Sequence, residues 1–422
     1  MTGGLGARLG LVRDARGFRL LFLATLASSL GTWLAVIALV VDVYDRTGNA
    51  SWVSALLVAE FLPIVVVGLL AGPLVDALPR RAILVGSDLA RVAVFCALPF
   101  AGSAAGIVLL ALAAGVATSF FRPALYAALP NLVDEAELPQ ANGLLQSAEN
   151  LTWALGALAG GALVAAAGPD AAYWLNAVTF LLSALLLVRI RGRFEEEDRR
   201  RESEGRLREL AAGFRLVLGS RALLTVLVAW SIVMLANAGV NVAEVVLAKD
   251  VFGAGDFGYG LLVAAGALGL VFGSLYAGAW IEEHGMRAVY AASIGLMALG
   301  FGTAAAAPSV WVAAAAVVVA GLGNGAAVVC NALLVQRGAP DRLRGRAFTV
   351  LMSVGFGVLG LGMAAAGPLA NEAGARAVWG IAAVLLAAAA AVGLVMLRGV
   401  EQGASVVSAE QPLTAEESSR AA

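Results

Sequence analysis

Apolar runs of about 20 residues, each closed by a polar or charged turn, recur along the whole chain, and that is the length a helix needs to cross a bilayer core. They fall near 18–41, 51–75, 82–101, 105–128, 142–167 and 171–190, and again near 222–247, 259–281, 288–307, 309–333, 347–370 and 377–397. Between the two sets lies Arg189 to Arg221, the only long charged run in the sequence. It cannot share a medium with its neighbours, so it is a water-facing joint between two oily halves. A β-barrel would need shorter strands of alternating polarity, and these runs rich in Ala, Leu, Val and Gly do not alternate. The pattern predicts an all-α integral membrane protein of twelve transmembrane helices, arranged as two pseudo-symmetric six-helix bundles.

Only 14% of the 422 residues are charged, where a soluble chain carries roughly a quarter. The expected regions are a cytoplasmic N-terminal arm (1–17), a first bundle (18–190), a basic cytoplasmic linker (191–221), a second bundle (222–397) and a disordered cytoplasmic tail (398–422). Within the linker, Gly205 to Gly219 alternates charge with Leu, Phe and Val at helical spacing and suits the membrane surface. The first span is too long for the core of a cleavable leader and more spans follow it, so it is expected to be its own insertion signal. Cys96 and Cys330 fall in apolar runs as small buried hydrophobes, with no disulfide expected.

Orientation comes from the basic residues. With both termini in the cytoplasm, Arg46, Lys249 and Arg376 lie outside, Arg91 and Arg122 lie within spans, and every other basic residue lies inside. That is the positive-inside arrangement of a multi-pass protein of the plasma (inner) membrane. The inner loop around Asp134, Glu135 and Glu137 runs against the trend.

The chain also repeats itself. Shifted by 206 residues, Leu69 to Asp76 lies over Leu275 to Glu282, so that Ala71, Gly72, Asp76 and Arg81 meet Ala277, Gly278, Glu282 and Arg287. A period of six spans with their loops makes each half one copy of a bundle, the two related by an axis along the membrane normal.

Gly72 to Arg81 resembles the loop between the second and third helices of the major facilitator superfamily, written G-x-L-x-D-R-x-G-R-R/K. Gly72, Leu74, Asp76, Arg80 and Arg81 match, while Ala77 stands for an Arg and Pro79 for a Gly; the second copy restores that glycine as Gly285. The run Pro130 to Asn142, then Gly160, Gly161, Asn176 and Phe180, and Gln336 to Arg346 in the second half, is similar to the secretion-effector branch, which includes enterobactin exporter-like and macrolide efflux-like proteins. The resemblance covers about 18–397 and implies a monomeric, proton-coupled carrier, an antiporter exporting drugs or a siderophore, with no cofactor. Its loop implies a gate built from Gly72, Asp76, Arg80, Arg81, Gly278, Glu282 and Arg287.

Physical chemistry gives that loop a sense of its own. Gly72 lets two helices approach closely, Asp76 at a helix end can meet a facing helix N-terminus, and Arg80 and Arg81 can hold inner helix ends by charge-assisted bonds that break when the halves rock. A tight turn with positive-inside anchoring would explain the arginines alone. In the fifth span Gly156, Gly160 and Gly161 permit close helix packing, and they resemble an exporter motif in which a Gly-Pro pair precedes Gly-Gly, with Ala157 in the proline's place. The Gly-rich eleventh span, Gly355 to Pro368, reads as a closely packed, flexible element.

Ionisable groups inside spans are costly, so each is a functional candidate. Glu60, followed by Pro63, is the first choice for a protonatable coupling group, with Asp88, Arg122, Glu149 and Glu244 as further candidates. Asp88 and Arg91 are one turn apart and suit a local ion pair. Arg122-Pro123 resembles the place of a buried arginine in many proton-coupled exporters and could link protonation to substrate. Asn237, Asn241 and Glu244 form one helical stripe facing a cavity, to which Trp33, Asn324 and Asn331 are added. Trp153, Phe120, Phe121 and Trp230 are further pocket candidates, and Asp42 is read as solvated near the outer surface.

The one lysine, Lys249, stands in no phosphate-binding loop, so an ion gradient must supply the energy. The one histidine, His284, falls in a charged loop; neither enzyme chemistry nor a metal site is expected. The partners expected are the lipid bilayer, protons and a small-molecule substrate, with no nucleic acid. The favoured function is secondary active efflux of small amphipathic compounds, drug-like or siderophore-like, by alternating access. Alternatives are an importer or carrier of a polar metabolite, or a non-transporting membrane sensor or partner subunit.

Overall fold

The computed structural model describes residues 11–70, 78–190, 206–340 and 343–398, and over them the chain is a succession of helices. In the first half α1 is Arg16–Thr47, α2 Ala50–Leu70, α3 Arg80–Ala97, α4 Ala104–Ala128, α5 Leu138–Ala167 and α6 Pro169–Val188. After the joint come a short helix α7, Arg206–Gly219, then α8 Arg221–Val246, α9 Gly255–His284, α10 Met286–Ala306, α11 Val310–Gly338, α12 Arg344–Ala373 and α13 Ala375–Met396. Among the described residues eleven helices are long and apolar enough to span, and α2, with its shorter apolar stretch Ala50–Pro63, joins them as the twelfth. Several outrun the apolar runs: α1 continues to Thr47 and α5 begins at Leu138.

The two halves pack alike. In the first, α1 lies against α5 and α6, α2 against α4, and α3 against α4 and α6. In the second, α8 lies against α12 and α13, α9 against α11, and α10 against α11 and α13. Across the seam α5 meets α9 and α2 meets α12, contacts that a two-fold axis would exchange.

The repeat is also written in the helix ends. α3 to α6 begin at 80, 104, 138 and 169, and α10 to α13 at 286, 310, 344 and 375, each 206 further on. Ser103 and Ser309 cap α4 and α11, each side chain accepting from the backbone N–H three residues on. Gly48 and Gly253 turn with φ of 58° and 61°, and Gly168 and Gly374 with 77° and 82°. One junction breaks the rule. Gly285 has φ of 80°, whereas Pro79, in the equivalent place, has φ of −55°. The pyrrolidine ring forbids the left-handed turn, so the chain enters α3 without the glycine turn that opens α10.

Inside, the halves differ. In the second half glycines let backbones touch: a Cβ on Gly300 of α10 would lie 2.5 Å from the Ala320 nitrogen of α11, and one on Gly321 of α11 2.9 Å from the Gly269 Cα of α9. In the first half glycines do the same at Gly115, Gly156 and Gly160, and buried charge is added to them at Asp88 with Arg91 and at Asp42 with Tyr173. α7 packs on the bundle, since a Cβ on Gly213 would sit 2.9 Å from a Val350 methyl of α12. Cys96 and Cys330 are free thiols.

Candidate functional site

A cavity of about 500 Å3 lies on the seam between the halves, within the range of drug-sized sites. α1 and α5 bring Trp33 and Trp153, stacked at 5.1 Å between ring centroids. Phe61, Phe95, Phe180, Phe301 and Phe356 add further aromatic wall. Polar groups come from both sides: Glu60 of α2, and Asn237, Asn241 and Glu244 of α8, with Tyr259 of α9 and Asn324 of α11. The α8 stripe faces the cavity because positions i, i+4 and i+7 share one side of a helix.

Glu60 is held by backbone packing. α4 approaches α2 at Gly115, where a Cβ would sit 2.8 Å from the Glu60 carbonyl oxygen. Glu244 is 7% exposed. Neither carboxyl has a hydrogen-bond or ion-pair partner among the described residues, and both line the cavity together with Tyr259.

The cavity's two arginines are already matched. Arg91 bonds Asp88 at 2.5 Å, and its guanidinium sits 4.5 Å from the Phe121 ring centroid and 4.2 Å from that of Phe180. Arg122 of α4 reaches Glu149 of α5 at 2.7 Å. Asp88 and Glu149 therefore stand behind the wall as counter-ions, while Arg91 and Arg122 line it.

Several pocket candidates lie elsewhere. Asn331 does not line the cavity; it is two turns beyond Asn324, on the same face but about 10 Å further along the axis, with both amide atoms buried and unpartnered. Phe121 packs on Arg91, and Phe120 and Trp230 pack beside the cores. Asp42 is not solvated: it is 5% exposed, bonded to Arg46 at 2.6 Å and to the Tyr173 hydroxyl at 3.0 Å, because α1 runs on beyond it.

Gly72 and Asp76 lie outside the described residues. Their arginine neighbours bond within the first half: Arg80 donates to the Ala127 carbonyl at 2.8 Å and Arg81 to the Val188 carbonyl. Arg287 donates to the Leu394 carbonyl at 3.1 Å. Arg81 and Arg287 thus occupy equivalent places, each on the last turn of the sixth span of its half, where a cation offsets the helix dipole. Gly278 and Glu282 are exposed, and a Cβ on Gly278 would meet nothing, so that glycine marks no close approach here.

The packing glycines do. A Cβ on Gly156 would lie 2.8 Å from the Trp33 Cβ, and one on Gly160 2.8 Å from the Leu34 carbonyl, so α1 and α5 touch along this edge. Gly161 faces across the seam, where a Cβ would be 2.9 Å from the Gly260 Cα of α9. Above this crossing is a clasp that sequence reasoning missed, on the face opposite the joint, here called distal. Lys249 bonds Asp256 at 2.6 Å and also Asp45, and the Tyr44 hydroxyl donates to Asp250. Asn371 of α12 accepts from the Ala50 N–H at 2.9 Å, and Ser54 donates to the Met363 carbonyl at 2.6 Å. The signal was there in part, since Lys249 is the only lysine of the chain.

Residues 13–420 match the profile of a family described as transmembrane secretion effector. The chain is 28% identical to the multidrug efflux pump Tap of Mycobacterium bovis, over 85% of this chain and 88% of that protein. It is likewise 28% identical to the Tap pump of Mycolicibacterium fortuitum, over 87% and 92%. Among solved structures, a mutant of the nucleoside transporter NupG superposes with a TM-score of 0.76 at 14% identity, over 90% of this chain and 99% of that one. A bacterial homologue of the iron transporter ferroportin, in an inward-facing state, gives 0.71 at 15% identity, over 90% and 98%.

Proposed function

Because the chain belongs to the transmembrane secretion effector family of the major facilitator superfamily, and is a multi-pass membrane transporter of a small molecule rather than an enzyme, we propose that its work is proton-coupled export of amphipathic compounds. The observation that carries this reading is the cavity: one aromatic-walled space on the seam, with unpaired carboxyls contributed by both halves. A site shared by two rigid bundles can be exposed to one side and then the other as they rock. The efflux named in two relatives supports export, and drug-like or siderophore-like cargo suits the aromatic wall. Both termini lie in the cytoplasm, as the arginine distribution favours, and the protein works as a monomer in the plasma membrane.

In this reading Glu60 takes up and releases the coupling proton, and the loop of Gly72, Asp76, Arg80 and Arg81, with Gly278, Glu282 and Arg287, governs the cytoplasmic gate. The clasped distal face belongs to the state that loads cargo from inside.

The test is flux into sealed proteoliposomes under an imposed pH gradient, over a panel of amphipathic drugs. Uphill accumulation is expected in the native protein and absent in Glu60→Gln, which still exchanges substrate down its gradient. Accumulation undiminished in that variant removes Glu60 from the coupling step. Accumulation indifferent to the pH gradient removes the proton.

A further inference from the structure

The cavity's charges do not balance. Its lining cations are matched one to one, Arg91 by Asp88 and Arg122 by Glu149. Lys249, five residues after Glu244 on the same stretch of chain, is occupied by Asp45 and Asp256. Glu60 and Glu244 remain, one from each half, facing the same space. Glu244 is more than nine-tenths buried, points into the cavity and bonds to nothing there. The groups around the two carboxyls from the packed elements are Tyr259, Asn237, Asn241 and Asn324, and none is a cation.

A carboxylate withdrawn from water without a partner is costly, and two on facing bodies would repel. An arriving positive charge removes both penalties. An anion would meet the reverse: no free cation among the described cavity residues and two acids opposing it. The aromatic walls add to the preference, since ring faces attract cations.

We propose that this cavity selects organic cations, with the positive charge held between Glu60 of α2 and Glu244 of α8 and an aromatic body lying along the Trp33 and Trp153 rings. The inference rests on the seam cavity being the transport site and adds the charge class of its cargo. Since one carboxyl comes from each bundle, the cation bridges the bodies that must move, and a neutral compound of the same shape does not.

Charge can be tested at constant shape. Tetraphenylphosphonium and tetraphenylborate are near-identical in size and opposite in charge, and triphenylphosphine oxide is a neutral relative. Binding to the purified full-length protein in detergent is measured by equilibrium dialysis. The phosphonium is expected to bind, and the borate to bind at least about tenfold more weakly. Glu244→Gln and Glu60→Gln should each weaken the phosphonium about tenfold while leaving the neutral compound unchanged, and Glu283→Gln, on the exposed last turn of α9, should change neither. Equal binding of phosphonium and borate overturns the proposal. So does an unchanged phosphonium affinity in both cavity variants, or an equal loss of cation and neutral compound, which would mark a merely structural role. These measurements need no transport, so charge-selective binding without export would sink the export reading and leave this one standing; export of neutral compounds by a protein that ignores phosphonium would do the opposite.

Discussion

The two halves share one plan of helix contacts and fill it with different chemistry. The first half adds buried charge to its glycine contacts: Arg91, paired with Asp88 on α3, lies over the rings of Phe121 of α4 and Phe180 of α6, Asp42 of α1 is bonded by Arg46 and by Tyr173 of α6, and a more open pair of Arg122 with Glu149 links α4 to α5. The second relies more on backbone contact, at Gly269, Gly300, Gly321 and Gly325, and Lys249 with Asp256 forms an ion pair at its distal end. Lipid offers no hydrophobic force between helices, so polar bonds and small-residue contact are the two ways left to hold them. Bonds between side chains tolerate sliding; backbone contact does not. Against this background Glu244, a bare carboxyl in the half that otherwise avoids buried charge, stands out as serving something other than packing.

The comparison breaks hardest at Arg91. Arg91→Ala leaves Asp88, which is fully buried, without its counter-ion, and should cost about 3–5 kcal/mol, read as a fall in the thermal midpoint of the detergent-solubilised protein. Asp88→Asn combined with Arg91→Leu should recover most of it; a single variant as stable as the native protein would mean that charge does not hold this half. A smaller effect, about 1–3 kcal/mol from overpacking, is expected of Gly161→Val, which wedges α5 from α9 at the seam. In a background with Cys96 and Cys330 replaced by Ser, labelling of Thr118→Cys in the cavity by an impermeant reagent on the distal side should rise several-fold; unchanged labelling removes the wedge. The smallest effect belongs to Lys249→Ala. It removes the bonds to Asp45, which is half exposed, and to the less exposed Asp256, and screening at this rim keeps the loss to about 1 kcal/mol. Distal labelling should rise less than with Gly161→Val, and the difference from native should shrink in high salt.

Much of the fold was legible because membrane helices obey one strong rule, a run of apolar residues as long as the bilayer is thick. The order of spans and the duplication could both be read in this way. The candidate site was legible where chemistry is local. The stripe Asn237, Asn241, Glu244 could be read, as could the pair of Asp88 with Arg91, since each lies along one helix. It failed where depth mattered. Asn331 has the right face at the wrong height, and Asp42 looked wet only because its span was drawn six residues short. Pairs across helices, such as Arg122 with Glu149 or Asn371 with Ala50, leave no trace in spacing.

The clasp at the distal face has a grammar of its own. Counted by the 205-residue offset of α1 to α8, Tyr44 corresponds to Lys249 and Asp45 to Asp250. The Tyr44 hydroxyl donates a hydrogen bond to Asp250 while the Lys249 ammonium donates one to Asp45, so each half presents a donor followed by an acid and meets the same couplet in the other. Such a couplet is its own complement under a two-fold turn. One pattern of donor and acid therefore closes the distal rim on both sides of the pseudo-two-fold axis.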